Sequence, residues 1–283
     1  MGNRYFEVLE RASSFLEKKG LEGYSILYVL LERKGWTKTD WLLHLKDEMT
    51  PEDEQQLNED LQQLAQYYPP QYLLGYGDFY NHRFIVNEHT LIPRPETEEL
   101  VDRCLKENPN ERLTVVDVGT GTGAIGISLK LARPNWHVTA IDISEEALKI
   151  AEKNAAQLNA ELDFVHGDGL KPMHHSKIDI LISNPPYISR TEWDLMDESV
   201  RTFEPKTALF AENDGLAIYQ QLAEEAKELL SSDGKIYLEI GFQQGEAVKQ
   251  LFQQAFPQKQ VQIAQDLSGN DRMVIVSPKK EEG

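Results

Sequence analysis

The chain has 283 residues, 40% hydrophobic and 27% charged, with one cysteine, Cys104; this allows about two globular domains and excludes a disordered, collagen-like or disulfide-scaffold protein. One thiol forms no internal disulfide, which fits a reducing cytosol. With 29 Lys and Arg against 47 Asp and Glu the net charge is −18, so the surface repels phosphate backbones and nucleic acid is a poor default substrate.

The N-terminus, Met1 to Gly20, alternates charged and apolar residues and lacks a signal-peptide core. The spacing of Tyr5, Val8, Leu9, Ala12, Phe15 and Leu16 predicts an amphipathic helix, with Gly20 as its stop. Ser25 opens a short buried helix through Ile26, Leu27, Val29, Leu30 and Leu31. Thr37 and Asp40 form a capping-box-like start before Trp41, Leu42, Leu43 and Leu45. Thr50-Pro51-Glu52-Asp53 supplies an N-cap, a proline at the first helical position and early acids for a helix through Leu57, Leu61 and Leu64. Residues 1–70 thus read as a small all-α bundle without a catalytic constellation, and His44 reads as a helix-face residue rather than a ligand. Tyr67-Tyr68-Pro69-Pro70 ends the helices.

Residues 71–95 read as a linker. In it Asp78-Phe79-Tyr80 and Arg83–Val86 flank Asn81-His82, a hairpin pattern. Leu91-Ile92-Pro93-Arg94-Pro95-Glu96 then leads to a helix near Glu96. Within 96–283, strands are predicted at Leu113–Val118, Trp136–Ile143, Leu162–His166, Ile178–Ser183, Lys235–Ile240, Val261–Ala264 and Met273–Val276. Helices fit at Ala124–Ala132, Glu145–Leu158, Leu216–Leu230 and Glu246–Phe256. This alternation argues for an α/β domain with a mostly parallel sheet covered on both faces.

Asp117-Val118-Gly119-Thr120-Gly121-Thr122-Gly123 joins the first strand of that domain to its first helix. Glycines let the backbone approach a ligand closely, the helix N-terminus adds unpaired N–H groups, and ligands of open α/β sheets sit beyond the carboxyl ends of strands. Asp142, ending the next strand, can accept from two ribose hydroxyls. Gly121-Thr122-Gly123-Ala124-Ile125-Gly126 also matches the dinucleotide pattern G-x-G-x-x-G, with Asp142 at about the expected distance of ~20 residues. Asp117 favours S-adenosylmethionine (SAM): a carboxylate suits its ammonium and sulfonium and would repel a pyrophosphate. The loop resembles the SAM loop of seven-stranded class I methyltransferases.

Ile180–Ser183 runs as a strand straight into Asn184-Pro185-Pro186-Tyr187. This tetrapeptide resembles the signature of methyltransferases acting on planar nitrogens. An amide or exocyclic amine nitrogen is a poor nucleophile because its lone pair is delocalised. Two acceptors on its N–H bonds, the Asn184 side-chain oxygen and the Pro185 carbonyl, would draw it toward tetrahedral geometry and aim the lone pair. Pro185 and Pro186 stiffen the loop, and Tyr187 offers a flat face for a planar group. Catalysis would then be mainly orientation, without a metal. Asp168, after the third strand in His166-Gly167-Asp168-Gly169, reads either as an acceptor near adenine or as a loop cap. His174-His175 lacks partners at ligand spacing and reads as loop; Cys104 reads as a packing residue.

The chain resembles the bacterial peptide-chain-release-factor glutamine methyltransferases. The resemblance spans nearly all of it, through Pro70-Gln71-Tyr72-Leu73-Leu74-Gly75, Leu91-Ile92-Pro93-Arg94-Pro95-Glu96-Thr97-Glu98, the Asp117–Ile125 loop, Ser183–Ile188, Phe203-Glu204-Pro205 with Ala208-Leu209, and Gly269-Asn270-Asp271-Arg272. It implies a class I, Rossmann-like, seven-stranded methyltransferase domain (96–283) after a helical substrate-recognition domain (1–70) and a hairpin linker (71–95). The implied reaction is SAM-dependent methylation of the glutamine side-chain nitrogen, N5, in a Gly-Gly-Gln motif of release factors in the cytoplasm. The cofactor set is Asp117, Gly119, Thr120, Gly121, Thr122, Gly123, Asp142, Asp168, Gly169 and Asn184. The substrate set is Asn184, Pro185, Pro186 and Tyr187, with Arg94 as either a polar contact near the site or a bracing salt bridge. Two departures stand out: Asn81 occupies a hairpin glycine position, and Gly169 replaces an aromatic that stacks on adenine in some members. A nucleic-acid adenine-N6 methyltransferase would use the same catalytic loop on a flipped base, but the net charge disfavours it. A noncatalytic SAM-sensing protein leaves the acceptor loop unexplained.

Overall fold

The computed structural model describes residues 3–174 and 176–279. Two compact units result: one contains the residues up to Tyr76 together with Asp197–Phe203, the other begins at Gly77 and takes in the rest.

The first unit is helical. Its elements are α1 (Tyr5–Lys18), α2 (Tyr24–Lys34), α3 (Lys38–His44), α4 (Pro51–Leu64) and α5 (Pro70–Leu74). Tyr5, Val8, Leu9, Ala12 and Leu16 of α1 pack on Ile26, Val29 and Leu30 of α2 and on Leu57 and Leu64 of α4, which is the stripe expected from the 3.6-residue spacing. The caps form as read. Thr37 Oγ1 accepts from Asp40 N (3.2 Å), and Asp40 Oδ2 accepts from Thr37 N (2.8 Å). Thr50 Oγ1 accepts from Asp53 N (3.1 Å), with Pro51 at the first helical position. Arg33 clamps the buried Asp60 through two bonds, Nε to Oδ2 (2.7 Å) and Nη2 to Oδ1 (2.8 Å), tying α2 to α4. His44 stacks on Trp36 and pairs with Asp47, a surface role.

The hairpin strands are β1 (Tyr76–Phe79) and β2 (His82–Ile85). The turn sits at Tyr80-Asn81, one residue earlier than Asn81-His82. Both turn residues have positive φ, 47° and 64°, as a two-residue hairpin loop requires; Asn tolerates this conformation, which explains how Asn81 replaces glycine.

The second unit continues through α6 (Pro95–Glu107), β3 (Thr114–Val118), α7 (Ala124–Ala132), β4 (His137–Asp142), α8 (Glu145–Leu158), β5 (Asp163–His166) and β6 (Ile178–Ser183). After α9 (Glu198–Phe203), which belongs to the helical unit, come α10 (Ala217–Leu229), β7 (Leu230–Glu239), α11 (Gly245–Ala255), β8 (Lys259–Gln265) and β9 (Asp271–Pro278). The sheet order is β5-β4-β3-β6-β7-β9-β8, parallel except for β9, which runs against both neighbours. Strand alternation sorts the core into two layers. Val115, Ile180, Tyr237 and Ile275 meet α6 and α7, whereas Val116, Leu181, Ile236 and Val276 meet α10 and α11. Cys104 is fully buried in the first layer, and burial pushes its thiol pKa up, so it packs rather than reacts.

β7 starts at Leu230, five residues before the expected Lys235. An irregularity in its pairing with β6 accommodates Ser231–Gly234. The carbonyls of Ser232 and Gly234 accept from the buried Lys259 Nζ at 2.6 and 2.8 Å, and that long-range partner is invisible in local sequence.

Asn154 on α8 is a single buried tie between hairpin and glycine loop. Its Oδ1 accepts from Ile85 N (2.7 Å), and its Nδ2 donates to Ile85 O (3.1 Å) and Thr122 O (2.9 Å). Asn154→Ala strands these backbone groups. A loss of about 2–4 kcal/mol in urea unfolding is expected; a change under 0.5 kcal/mol would show that the tie is dispensable.

Candidate active site

The carboxyl ends of four parallel strands line up. Val118 of β3 pairs with Ser183 of β6, Val118 also with Ile141 of β4, and Asp142 with His166 of β5. The segments leaving these ends are therefore neighbours: the glycine loop, Asp142-Ile143, Gly167–Gly169 and Asn184–Tyr187. The order of connection reverses at β3, which is where an open α/β sheet leaves a crevice.

Gly119 N and Thr120 N both donate to Ile141 O, at 2.8 and 3.0 Å, so the loop folds back over β4. Gly121 takes φ 55° over open space, while a Cβ on Gly123 would lie 2.7 Å from Ile127 Cδ1. Asp117 is fully buried beneath the loop. Its Oδ2 accepts from Thr120 Oγ1 (2.6 Å) and Gly126 N (3.0 Å), and its Oδ1 has no hydrogen-bond partner. Burial pushes its pKa up to about 7 against the pull of these bonds. Asp142 accepts from Gly121 N (2.8 Å) through Oδ2 and from Ser144 N (2.9 Å) through Oδ1. The Ile143 N–H also acts on this carboxylate, which keeps acceptor capacity for a ligand. Burial raises its pKa, opposed by those backbone N–H groups.

One cavity opens over the strand ends. Gly119, Gly121, Asp142, Asp168, Gly169, Asn184 and Pro186 all line it. Asp117, Thr120, Thr122 and Gly123 do not; they shape the loop from behind. Ile143, Phe210, Ile218 and Gln221 also line the cavity and were not singled out from sequence. Their signal is weak: Ile143 follows Asp142 directly, and the others come from distant segments. Asp168 accepts from Lys171 Nζ and, at 2.9 Å, from Gln221 Nε2, and these bonds hold its pKa below the usual carboxylate range. Gly169 has φ 60°, and a Cβ there would come within 2.4 Å of Glu225 Oε2 and 2.5 Å of Gln221 Nε2. Glycine thus suits this packing against α10, and an aromatic side chain would be strained.

Asn184 follows β6 directly. Its Nδ2 donates to Thr97 Oγ1 (3.0 Å), and the Thr97 hydroxyl donates to Glu239 Oε2 (2.6 Å). Glu239 ends β7 beside β6 and is fully buried, which pushes its pKa up to about 7. Sequence reasoning missed this chain of bonds, although an acid closing the apolar run Ile236-Tyr237-Leu238 was a visible signal. Pro185 is buried. The half-buried Tyr187 packs against the α10/α11 core layer rather than lining the cavity, and its carbonyl accepts from Gln244 Nε2 (3.0 Å). Arg94 also stays off the cavity wall: its Nη2 pairs with the buried Glu204, whose other oxygen accepts from Ile92 N (3.1 Å). Of the two readings of Arg94, the brace is the one with a partner here. His174 follows a 3-10 turn after β5, and His175 lies outside the described residues. Among the described residues, no group of three or more His, Cys, Asp or Glu could hold a metal ion.

The fold and site define a class I SAM-dependent methyltransferase. The Methyltransferase small domain model matches residues 97–211, and the PrmC N-terminal domain model matches 7–75. Release factor glutamine methyltransferase of Enterococcus faecalis is 67% identical over 275 residues, covering 97% of this chain and 99% of its own. The enzymes of that name from Lactococcus lactis (49%; 96% and 99% covered) and Bacillus subtilis (38%; 95% and 96% covered) are also similar. The chain belongs to the release factor glutamine methyltransferase family. A solved methyltransferase structure from Pyrococcus furiosus shares the fold, with TM-score 0.52 and 18% identity over 69% of this chain and 87% of that one.

Asp117 and Glu239 hold their protons more tightly when folded than in the unfolded chain, whose values are 3.8 and 4.5. The folded state therefore binds more protons between about pH 4 and 7, and stability falls as pH rises through that window, by about 1.4 kcal/mol per pH unit for each group. Acids held low by partners, such as Asp168, act in the opposite sense at lower pH. Urea midpoints of the ligand-free protein should drop from pH 5 to 7.5, and Asp117→Asn should flatten part of the drop. A midpoint that climbs over that range would contradict the buried-acid account.

Proposed function

We propose that this chain transfers the methyl group of SAM to N5, the side-chain amide nitrogen, of the glutamine in the Gly-Gly-Gln motif of peptide chain release factors. One observation carries the reading: Asn184 lies on the cavity wall beside the glycine loop, with its NH2 committed to Thr97. Its carbonyl oxygen is thereby available to a substrate N–H.

The donor set suits SAM. Asp142, on the cavity wall, would take the ribose hydroxyls. Gly119 and Gly121 leave the backbone bare where the amino-acid portion would lie, shaped from behind by Thr120, Thr122 and Gly123. Asp117, with one orphaned oxygen under the loop, would act on the ligand's positive charge through the field rather than by contact. Asp168 and Gly169, with Ile143 and Phe210 as apolar walls, would frame the adenine. Bound SAM supplies an electrophilic methyl group on a positively charged sulfur.

Asn184 Oδ1 and the Pro185 carbonyl would accept the two hydrogens of the glutamine amide. That pulls the nitrogen out of conjugation and directs its lone pair at the methyl carbon. Pro186 and Tyr187 would keep the loop rigid, Tyr187 through its packing. Most of the rate gain would then come from orientation and from acceptors matched to the pyramidal nitrogen. The helical unit would supply the second contact with the release factor, because one amide side chain offers little binding surface. The net charge of −18 supports a protein rather than a nucleic-acid substrate, and the described helices include none long and apolar enough to cross a membrane. Both suit work on release factors in the cytoplasm.

Asn184→Ala should retain SAM binding within a few-fold and lose at least about a hundredfold in kcat, since the missing acceptor acts on the reacting nitrogen. Calorimetry and transfer of labelled methyl from SAM to a release factor measure the two quantities. Mass spectrometry should locate the methyl on the Gly-Gly-Gln glutamine and find none on the Gln→Ala release factor. Equal labelling of both proteins, or labelling of DNA adenine instead, would overturn the assignment.

A further inference from the structure

An asparagine amide is nearly symmetric in shape, so Asn184 can enter its site with either end outward. Only one orientation gives the target nitrogen an acceptor; the other points an NH2 group at N–H bonds. Something must choose between them, and the three-residue chain behind the cavity has the chemistry to do so.

A threonine hydroxyl carries a single hydrogen, and an ionised carboxylate only accepts. With Glu239 ionised, the Thr97 hydrogen is spent on Glu239 Oε2, 2.6 Å away. Thr97 Oγ1 is then purely an acceptor toward Asn184, whose Nδ2 lies 3.0 Å from it. We infer that Glu239 and Thr97 are positioning residues that fix the polarity of the Asn184 amide, turning its oxygen to the substrate and its NH2 inward. The inference rests on the reading of Asn184 as the acceptor for the glutamine amide and goes beyond it. A protonated Glu239 can donate to Thr97 Oγ1, which frees the threonine hydrogen to point at Asn184 and favours the reversed amide.

The surroundings of Glu239 bear on its ionisation. Arg272 on β9 and Arg94 at the start of α6 favour its charge, and Glu96 on α6 opposes it. Tyr187 after β6 and Tyr219 on α10 also face it, and Tyr219 donates its hydroxyl to the Glu239 backbone carbonyl at 2.7 Å. Arg272 is shared with Asp266 (3.2 Å) and Arg94 with Glu204. Burial outweighs the cations and leaves the carboxyl titrating at about 7. The active form is the ionised one, so the rate should rise with pH through that value and level off above it.

The test is methyl transfer to a release factor at saturating SAM and saturating release factor, from pH 5.5 to 8.5, with SAM affinity and KM measured alongside. Saturation with SAM keeps changes in SAM affinity out of the kcat profile, and the Glu239→Gln profile separates Glu239 from Asp117, which lies beneath the cofactor loop. Wild-type kcat should fall as pH drops below 7, by about tenfold at pH 5.5, and level off once Glu239 is protonated. Thr97→Val should lower kcat about tenfold at pH 8, the worth of one ordinary hydrogen bond, with SAM affinity and release-factor KM within about twofold; Thr97→Ser should restore the rate. Glu239→Gln, whose amide can donate or accept, should lower kcat at pH 8 and abolish the acid limb. A flat wild-type profile, an acid limb that survives in Glu239→Gln, or a folded Thr97→Val with wild-type kcat would overturn the inference. If Thr97→Val does not fold, the Glu239→Gln profile decides. Normal turnover by Asn184→Ala, or an unmodified glutamine with wild-type enzyme, would instead remove the acceptor reading and the inference with it. A dead Asn184→Ala beside a fully active Thr97→Val removes the inference alone.

Discussion

The Ser183 hydroxyl donates to the Val118 carbonyl at 2.6 Å, across the register step where β3 and β6 both end. That bond locks two chain exits side by side, and the site is built from what leaves them. On one side the backbone turns through glycines; on the other it enters Asn184 and two prolines. Slipping either strand by one residue would turn its side chains to the opposite layer, burying Asp117 and Ser183 among the apolar residues of the wrong face. Fidelity of the site is therefore enforced by the hydrophobic core, through alternation such as Val115/Val116 and Ile180/Leu181.

The same burial that fixes the register creates the site's unusual acids. Asp117 and Glu239 stand on neighbouring regions of one sheet, each fully buried and each bonded to a threonine hydroxyl that points at it. Neither touches the cavity. Their stabilising bonds are too few to offset desolvation, so both titrate near neutrality. Such groups make the ligand-free fold less stable at neutral pH than it could be. They persist where a charge, rather than a contact, is what the site requires: a field under a cationic ligand in one case, a one-way hydrogen bond in the other.

Much of this was legible in sequence because it depends on local rules. The amphipathic spacing of α1, the threonine caps of α3 and α4, the α7 and α8 boundaries and the alternation of strands and helices along the chain all follow from periodicity and capping. The glycine loop, Asp142 and Asn184 were legible because their residue types carry chemistry at strand ends. What was not legible depends on partners far along the chain. Glu239 bonds Thr97 from 142 residues away. Lys259 extends β7 through carbonyls that no local pattern identifies, and Phe210 and Gln221 reach the cavity from segments without a motif. The glycine at 169 stands where an aromatic could stack; its φ of 60° is a left-handed conformation that an aromatic residue adopts only with strain. Tyr187 is half-buried and packs against the α10/α11 core layer, a contact that its residue type alone does not show.

The segment Ile92-Pro93-Arg94-Pro95-Glu96-Thr97 acquires its meaning from the same long-range bonds. Pro95 occupies the first helical position of α6, and Arg94 caps it in an extended conformation. Glu204 grips both ends of this corner, accepting from Ile92 N and from the Arg94 guanidinium. Thr97 N donates to Arg94 O at 3.1 Å, so the first turn of the helix is bound to the braced corner. Thr97 is the third residue of α6, and its hydroxyl can meet Asn184 and Glu239 together only if that corner is held in place. Arg94 then serves the site two bonds removed from it, without contact with the cavity, and a charge-conserving change to Lys would keep the cation but lose the planar fork geometry of the brace. The segment is one continuous device that delivers a single hydroxyl to the space between β6 and β7.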